Sequence, residues 1–195
     1  RCMTCHVGID KKGFEDAPQP YTTHPRIDEF VGGSSPHPMS EYGCTSCHGG
    51  RGRGTDFISS GHMPRDLKQK KEWKKKYNWD YLHYWEEKML PVQYSEAGCF
   101  KCHGDNMPVK GAPVLSLGMS TFEKAGCYSC HQMDRWADAP KPGPSLYKMA
   151  SKTEKDWTYR WIMEPRAFRH NTWMPHFFKK GNNSSPEDII RTEQE

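Results

Sequence analysis

The chain has 195 residues, of which 34% are hydrophobic, and its formal net charge at pH 7 is +4. This length allows one or two domains, and the mean hydropathy of −0.96 indicates too little apolar surface for an ordinary side-chain core. No stretch of the sequence approaches the roughly 18 apolar residues of a membrane span, so a membrane-crossing helix is not expected within it.

The first predicted element is an irregular region at residues 1–64, where prolines and the glycine-rich run 49–54 break helices and favour turns. Residues 65–90 are predicted to be helical, with six lysines around the i,i+4 aromatic pair Trp73 and Tyr77. The lysine run is interpreted first as a solvated helix face and second as a surface for an acidic partner.

The sequence changes character near residue 112. Residues 115–122 are predicted to form a short helix that leads into Cys127, and Trp157 and Trp161 have helical spacing. Ser185 and Pro186 are typical of a helix start, and either this last helix is short or the chain continues beyond Glu195.

All eight cysteines lie in Cys-x-x-Cys-His units, a pattern typical of c-type haem attachment. The two thiols can form thioethers with the two vinyl groups of one porphyrin, and the following histidine then becomes the proximal iron ligand. The four units predict four covalent haem c groups and leave no cysteine over. They comprise Cys2, Cys5 and His6; Cys44, Cys47 and His48; Cys99, Cys102 and His103; and Cys127, Cys130 and His131.

Three other interpretations of the cysteines explain less. Zinc sites use Cys-x-x-Cys pairs but do not require a histidine directly after each second cysteine. A thioredoxin-like motif would occur once, beside a strand-helix unit, and disulfides would leave the histidines unexplained.

Haem also changes the expected charge and location. Two propionates on each of four haems would bring the net charge to about zero when oxidised and about −4 when reduced, so nucleic-acid binding is not expected. Offsetting these propionates is a further interpretation of the lysine run. Haem c is attached outside the cytoplasm, so we expect a periplasmic or extracellular protein. The first motif cysteine is residue 2, and we expect further chain upstream to cover that haem.

Residues 115–195 resemble a small class I cytochrome c domain. The matching residues are Cys127, Cys130, His131, Gly143, Pro144, Leu146, Met174 and Pro175. The resemblance implies that the carbonyl of Pro144 orients His131 and that Met174 is the sixth ligand of the fourth haem. The predicted last helix is shorter than the C-terminal helix of that family.

The whole chain is also similar to multihaem cytochromes of the respiratory chains of planctomycetes and deltaproteobacteria. The similar runs are residues 5–10, 35–38, 43–50, 96–99 and 166–175. This resemblance implies exported or membrane-associated electron transfer. The predicted fold is mainly α with extensive loops and haems as its core, divided into a trihaem region at 1–111 and a class I-like monohaem domain at 112–195.

With Met174 on the fourth haem, the first three haems need sixth ligands. Four histidines outside the motifs are the favoured candidates, and which of them serves which haem stays open: His24, His37, His62 and His83. His170 and His176, which flank Met174, are less favoured, and Met63 and Met107 are minor alternatives.

The expected iron ligands, histidine pairs on haems 1–3 and methionine on haem 4, indicate a direction of electron transfer. Methionine raises a haem potential relative to bis-histidine ligation, so electrons should move from haems 1–3 to haem 4. We expect an electron carrier, or a subunit that docks on redox proteins such as a membrane quinol-oxidising complex, and not an enzyme. Membrane association would come through partners or further segments. The alternatives are a multihaem reductase with one open iron and a subunit of an extracellular cytochrome polymer, so an oligomer is allowed.

Overall fold

The computed structural model describes residues 1–138, 140–178 and 186. They form short helices and irregular chain, with no strand among these residues, as the mainly α prediction requires. The helices are α1 (Ile27–Phe30), α2 (Met39–Tyr42), α3 (Thr45–His48), α4 (Leu67–Tyr77), α5 (Phe100–His103), α6 (Pro113–Lys124), α7 (Met149–Lys152), α8 (Lys155–Met163) and α9 (Pro165–Phe168). Four 3-10 segments span Cys2–Thr4, Val92–Cys99, Cys127–Ser129 and Asp134–Trp136.

None of the described helices has the length and apolar character needed to cross a membrane.

The chain divides into two compact units. The first comprises Arg1–His103 with Lys110–Ala112, and the second comprises Gly104–Val109 with Pro113–Glu195. The chain passes between the units in segment 104–112. The trihaem and monohaem domains at 1–111 and 112–195 stay a prediction. The first unit carries three of the cysteine motifs and the second carries the fourth.

The first unit is held together mainly by loops. Its buried aromatic residue is Trp79, which is 2% exposed and whose indole N–H donates to the carbonyl of His62 at 2.9 Å. The amide of Leu90 donates to the carbonyl of His48, and the amide of Met89 donates to the carbonyl of Gly61, both at 2.9 Å. The loop around residues 87–90 therefore joins the second motif to the segment that carries His62.

Helix α4 is shorter than the helix predicted at residues 65–90. The Asp66 carboxylate caps its start by accepting the amide of Gln69 at 2.7 Å. At its end Asn78 takes a left-handed conformation with φ 50°, and the amide of Trp79 donates to the carbonyl of Trp73 at 3.2 Å. The prediction was wrong beyond Tyr77, because this cap turns the chain so that Trp79 is buried and no helix follows it before residue 90.

In the second unit, α6 leads into the fourth motif. It begins with Pro113, and at its C-terminal side Gly126 has φ 67°, a left-handed conformation that glycine adopts without strain. Trp157 and Trp161 lie on α8 with their rings stacked at 5.3 Å between centroids, as their spacing indicates. The helix predicted to start at Ser185 lies outside the described residues apart from Pro186.

Candidate haem sites

Each Cys-x-x-Cys-His motif lies on one helical turn. The amide of the histidine donates to the carbonyl of the first cysteine in three of them, at 2.9 Å for His6, 3.0 Å for His48 and 2.9 Å for His131. Residues four apart lie on one face of a helical turn, so the first cysteine and the histidine project the same way. The third histidine, His103, ends α5. This local geometry lets one turn present thiols and an imidazole to one flat group.

No disulfide joins any of the eight cysteines, all of which the structure describes. Burial raises the pKa of the Cys44, Cys47, Cys99 and Cys127 thiols. Cys5, by contrast, is exposed, as are the second cysteines of the third and fourth motifs. In those three motifs the more enclosed cysteine is therefore the first one, on the side of the turn that also carries the histidine.

Three motif histidines each face one histidine from outside the motifs. The ring centroids are 6.1 Å apart for His6 and His62, and 6.2 Å apart for His48 and His24. They are 5.9 Å apart for His103 and His37. A ligating nitrogen lies about 1.1 Å from its ring centre and about 2.0–2.1 Å from a transition metal, so two imidazoles on opposite sides of one metal have centroids about 6.3 Å apart.

The hydrogen bond made by Nδ1 of each ring shows whether Nε2 is free to bind a metal. His62 Nδ1 donates to the carbonyl of Phe57 at 2.7 Å, which leaves the lone pair of Nε2 free. The pKa of His62 and of His6 is lowered mainly by burial, which favours the neutral imidazole that binds metals. For His6 a hydrogen bond to the carbonyl of Pro20 acts in the opposite direction. This pair fits the two axial positions of a haem.

The other two pairs differ at Nδ1. Burial lowers the pKa of both His48 and His24, so these rings also favour the neutral form. His24 Nδ1 accepts the amide of Arg26 at 3.1 Å, so the neutral ring carries its proton on Nε2. To bind a metal through Nε2, the ring would have to lose this proton or move it to Nδ1. Moving it to Nδ1 would break the hydrogen bond from Arg26. His37 Nδ1 is buried without a hydrogen-bond partner among the described residues, so its ring proton is not fixed by a carbonyl.

The three histidine pairs are neighbours, and the second motif lies beside both of the others. Cys2 of the first motif and Cys44 of the second line one cavity of about 390 Å³. On the other side, a Cβ built on Gly98 would lie 2.1 Å from the carbonyl oxygen of Cys47, so the turn before the third motif packs directly on the second. The ring of Phe30 lies 6.2 Å from His24 and 5.7 Å from that of His37.

In the second unit, a loop fixes His131. Its Nδ1 donates to the carbonyl of Pro144 at 2.7 Å, which leaves Nε2 free for a metal. The amide of Gly143 donates to the carbonyl of Cys130 at 2.8 Å. A Cβ on Gly143 would lie 2.8 Å from that carbonyl oxygen and 3.1 Å from the His131 ring, so the close approach of this loop requires glycine.

The sulfur of Met174 is also held by a specific contact. The indole N–H of Trp161 donates to Met174 Sδ at 2.8 Å, and the amide of Met174 donates to Thr172 Oγ1 at 3.2 Å. Its spacing in the sequence placed Trp161 on a helix but indicated no role for it at the site. Its only signal in the sequence was helical spacing from Trp157. Ligation of iron by Met174 stays a prediction.

The structure does not bring every candidate histidine to a motif. His83 is exposed in the loop after α4, and its ring lies 6.0 Å from that of Tyr81. In the part of the chain that the structure describes, no ring contact joins His83 to a motif histidine. His170 is exposed beside the Met174 segment. The prediction that His83 is a ligand therefore has no geometric support here, whereas His24, His37 and His62 each face a motif histidine.

Comparison with known proteins adds one finding. The family model described as cytochrome c554 and c-prime matches residues 62–132, a segment that contains His62 and the third and fourth motifs. No curated protein and no solved structure matches the chain. The match supports a c-type cytochrome with a mainly helical fold, and with it haem-based electron transfer by a carrier.

Proposed function

We propose that this protein transfers electrons through four covalently bound c-type haems, three with bis-histidine ligands in the first unit and one with histidine and methionine ligands in the second. The observation that carries the proposal is the spacing of the three histidine pairs, 5.9 to 6.2 Å between ring centroids. Two imidazoles bound on opposite sides of the same metal have nearly the same distance between ring centroids, about 6.3 Å.

The three histidine pairs support a specific assignment of the proposed ligands. The first, second and third haems would be held by His6 with His62, by His48 with His24, and by His103 with His37. The fourth would be held by His131 and Met174. The contact of Pro144 with His131 and that of Trp161 with Met174 support this last assignment, because each fixes the side chain that would bind iron.

When bound, haem supplies reversible one-electron chemistry between ferric and ferrous iron. The side chains of this protein orient the ligands and set their donor strength. Met174 would favour the ferrous form relative to two imidazoles, so the second unit would be the electron sink and the first unit the entry. No acid, base or nucleophile is needed for this function, and we propose a carrier or a subunit of a respiratory complex.

The contacts between motifs support an order for the three sites of the first unit. Cys44 and Cys2 of the first motif line one cavity, and Cys47 lies against Gly98 beside the third motif. We propose that the second site lies between the other two and connects them. In the same proposal the protein is exported, because haem c is attached outside the cytoplasm, and its partners are redox proteins such as a membrane quinol-oxidising complex.

Carbon monoxide binding tests the ligand assignment, because it reports an iron with an open position. The reduced protein should bind little carbon monoxide. Each of His24→Ala, His37→Ala and His62→Ala should open one haem and bind one equivalent. The control is His83→Ala, which should behave as the unmodified protein. If His83→Ala binds carbon monoxide and one of the other three does not, the pairing proposed here is wrong, and stoichiometric binding without any substitution would favour a reductase.

A further inference from the structure

The exposed side of α4 is a dense patch of positive charge. The helix carries six lysines against the single acidic residue Glu72. Five of the lysines are exposed, and no salt bridge within the described part of the chain involves any of the six. The lysines are Lys68, Lys70, Lys71, Lys74, Lys75 and Lys76. We call this surface the lysine face.

The fold itself gains little from this arrangement. Lys70 and Lys74, like Lys71 and Lys75, are like charges four residues apart, and such pairs destabilise a helix. The three lysines of the last turn do interact favourably with the negative end of the helix dipole. That benefit does not reach Lys68, Lys70 or Lys71, and of these three only Lys68 has an opposite charge within the helix, that of Glu72, four residues away.

The opposite side of α4 lies on a candidate haem site. The ring of Phe57 packs against Trp73 at 4.8 Å and against Tyr77 at 5.0 Å. The ring of Phe57 also stacks on that of His62 at 4.5 Å, and His62 faces His6. Phe57 thus contacts both α4 and the first histidine pair.

We propose that the lysine face is the docking surface for an acidic redox protein that delivers electrons at the His6/His62 site; this rests on the proposed function. The donor would lose one electron and the haem that His6 and His62 would hold would gain it, with no bond formed or broken. Charge complementarity selects an acidic partner and gives fast, salt-dependent association. An anionic membrane is the less favoured occupant, because the aromatic face that could insert into lipid is already packed on Phe57.

The test uses the haem-loaded protein and flavodoxin hydroquinone, a small acidic electron donor, as the probe. Lys68, Lys71 and Lys75 follow one stripe of the helix, and the triple change of these lysines to glutamine removes it. Calorimetric binding at low ionic strength should weaken about three- to 140-fold, the range for the loss of three exposed ion pairs. The bimolecular reduction rate should fall by a similar factor and depend less steeply on salt.

A matched control removes the same charge elsewhere. Lys11, Lys110 and Lys124 are exposed and lie outside the lysine face, and their triple change to glutamine should leave both measurements unchanged. Equal weakening by both triples, no weakening by either, or no binding by the unmodified protein would overturn the proposal. If the first triple instead abolishes binding to phosphatidylserine vesicles and leaves flavodoxin binding intact, the face belongs to a membrane. If flavodoxin binds through the lysines but no haem is reduced, the docking surface stands and the proposed function fails.

Discussion

Replacing Trp161 with phenylalanine should lower the highest reduction potential of the protein. The indole N–H donates to Met174 Sδ at 2.8 Å and draws electron density from the sulfur, which favours ferrous iron on the other lone pair. A hydrogen bond contributes about 0.5–1.5 kcal/mol net, which corresponds to about 20–65 mV for one electron if it acts on one oxidation state alone. Because the bond persists in both states, this range is an upper bound.

The matched control is Trp157→Phe. Trp157 stacks on Trp161 at 5.3 Å, and both rings lie about equally far from Phe168, at 5.9 and 6.1 Å. The two substitutions therefore remove similar aromatic area, but only Trp161→Phe removes the donor to Met174. A spectroelectrochemical titration, together with the near-infrared charge-transfer band of ferric thioether-ligated haem, measures the difference. Equal shifts for both variants would refute the role of the hydrogen bond and leave only a packing effect.

Three further predictions follow from the sites. Intact-mass analysis should find four haem additions to the 22.6 kDa polypeptide, and three or fewer in mature protein would contradict the motif assignment. Met174→His should abolish the near-infrared band and lower the highest potential, because an imidazole favours ferric iron more than a thioether does; unchanged potentials would mean that the sulfur is not a ligand. Gly98→Ala should destabilise the first unit by about 1–3 kcal/mol in thermal unfolding, because its Cβ would lie 2.1 Å from the carbonyl oxygen of Cys47. Gly33→Ala, where a Cβ meets nothing within 4 Å, should show no such loss.

The contacts within each Cys-x-x-Cys-His motif could be predicted from the sequence, because the residues involved are only a few positions apart. A cysteine and a histidine four residues apart share one helical face wherever the turn lies in the fold. The Pro144 carbonyl that contacts His131 was implied by a family resemblance in the same way, through a short segment shortly after the motif. In both cases the sequence separation is small, so few chain conformations compete.

The partner of each motif histidine could not be predicted, because irregular chain separates the two members of every pair. His6 meets His62 only because Trp79 and the loop at residues 87–90 fix the backbone around His62 and Gly61. Nothing in the spacing of the four candidate histidines distinguished His83, which lies beyond the unexpected end of α4. An asparagine in the left-handed conformation ended that helix, and asparagine has this option where most residues do not. The donor role of Trp161 likewise depends on how α8 and the Met174 segment pack, which spacing alone does not reveal.

The sparse core gives the proposed haems a structural role as well as a redox one. In the described part of the chain, the buried apolar side chains are those of Trp79, Leu82, Ala112 and Met119, together with Pro165. So few buried side chains cannot offset the backbone entropy lost when long loops are ordered. Yet the loops converge on three histidine pairs and on thiols of neighbouring motifs. If ligands and thioethers close these loops, the free energy of haem binding is also free energy of folding. The residues that set the reduction potentials would then also set the free energy of unfolding. A chain with so few buried apolar side chains would keep its fold only while the haems remain bound.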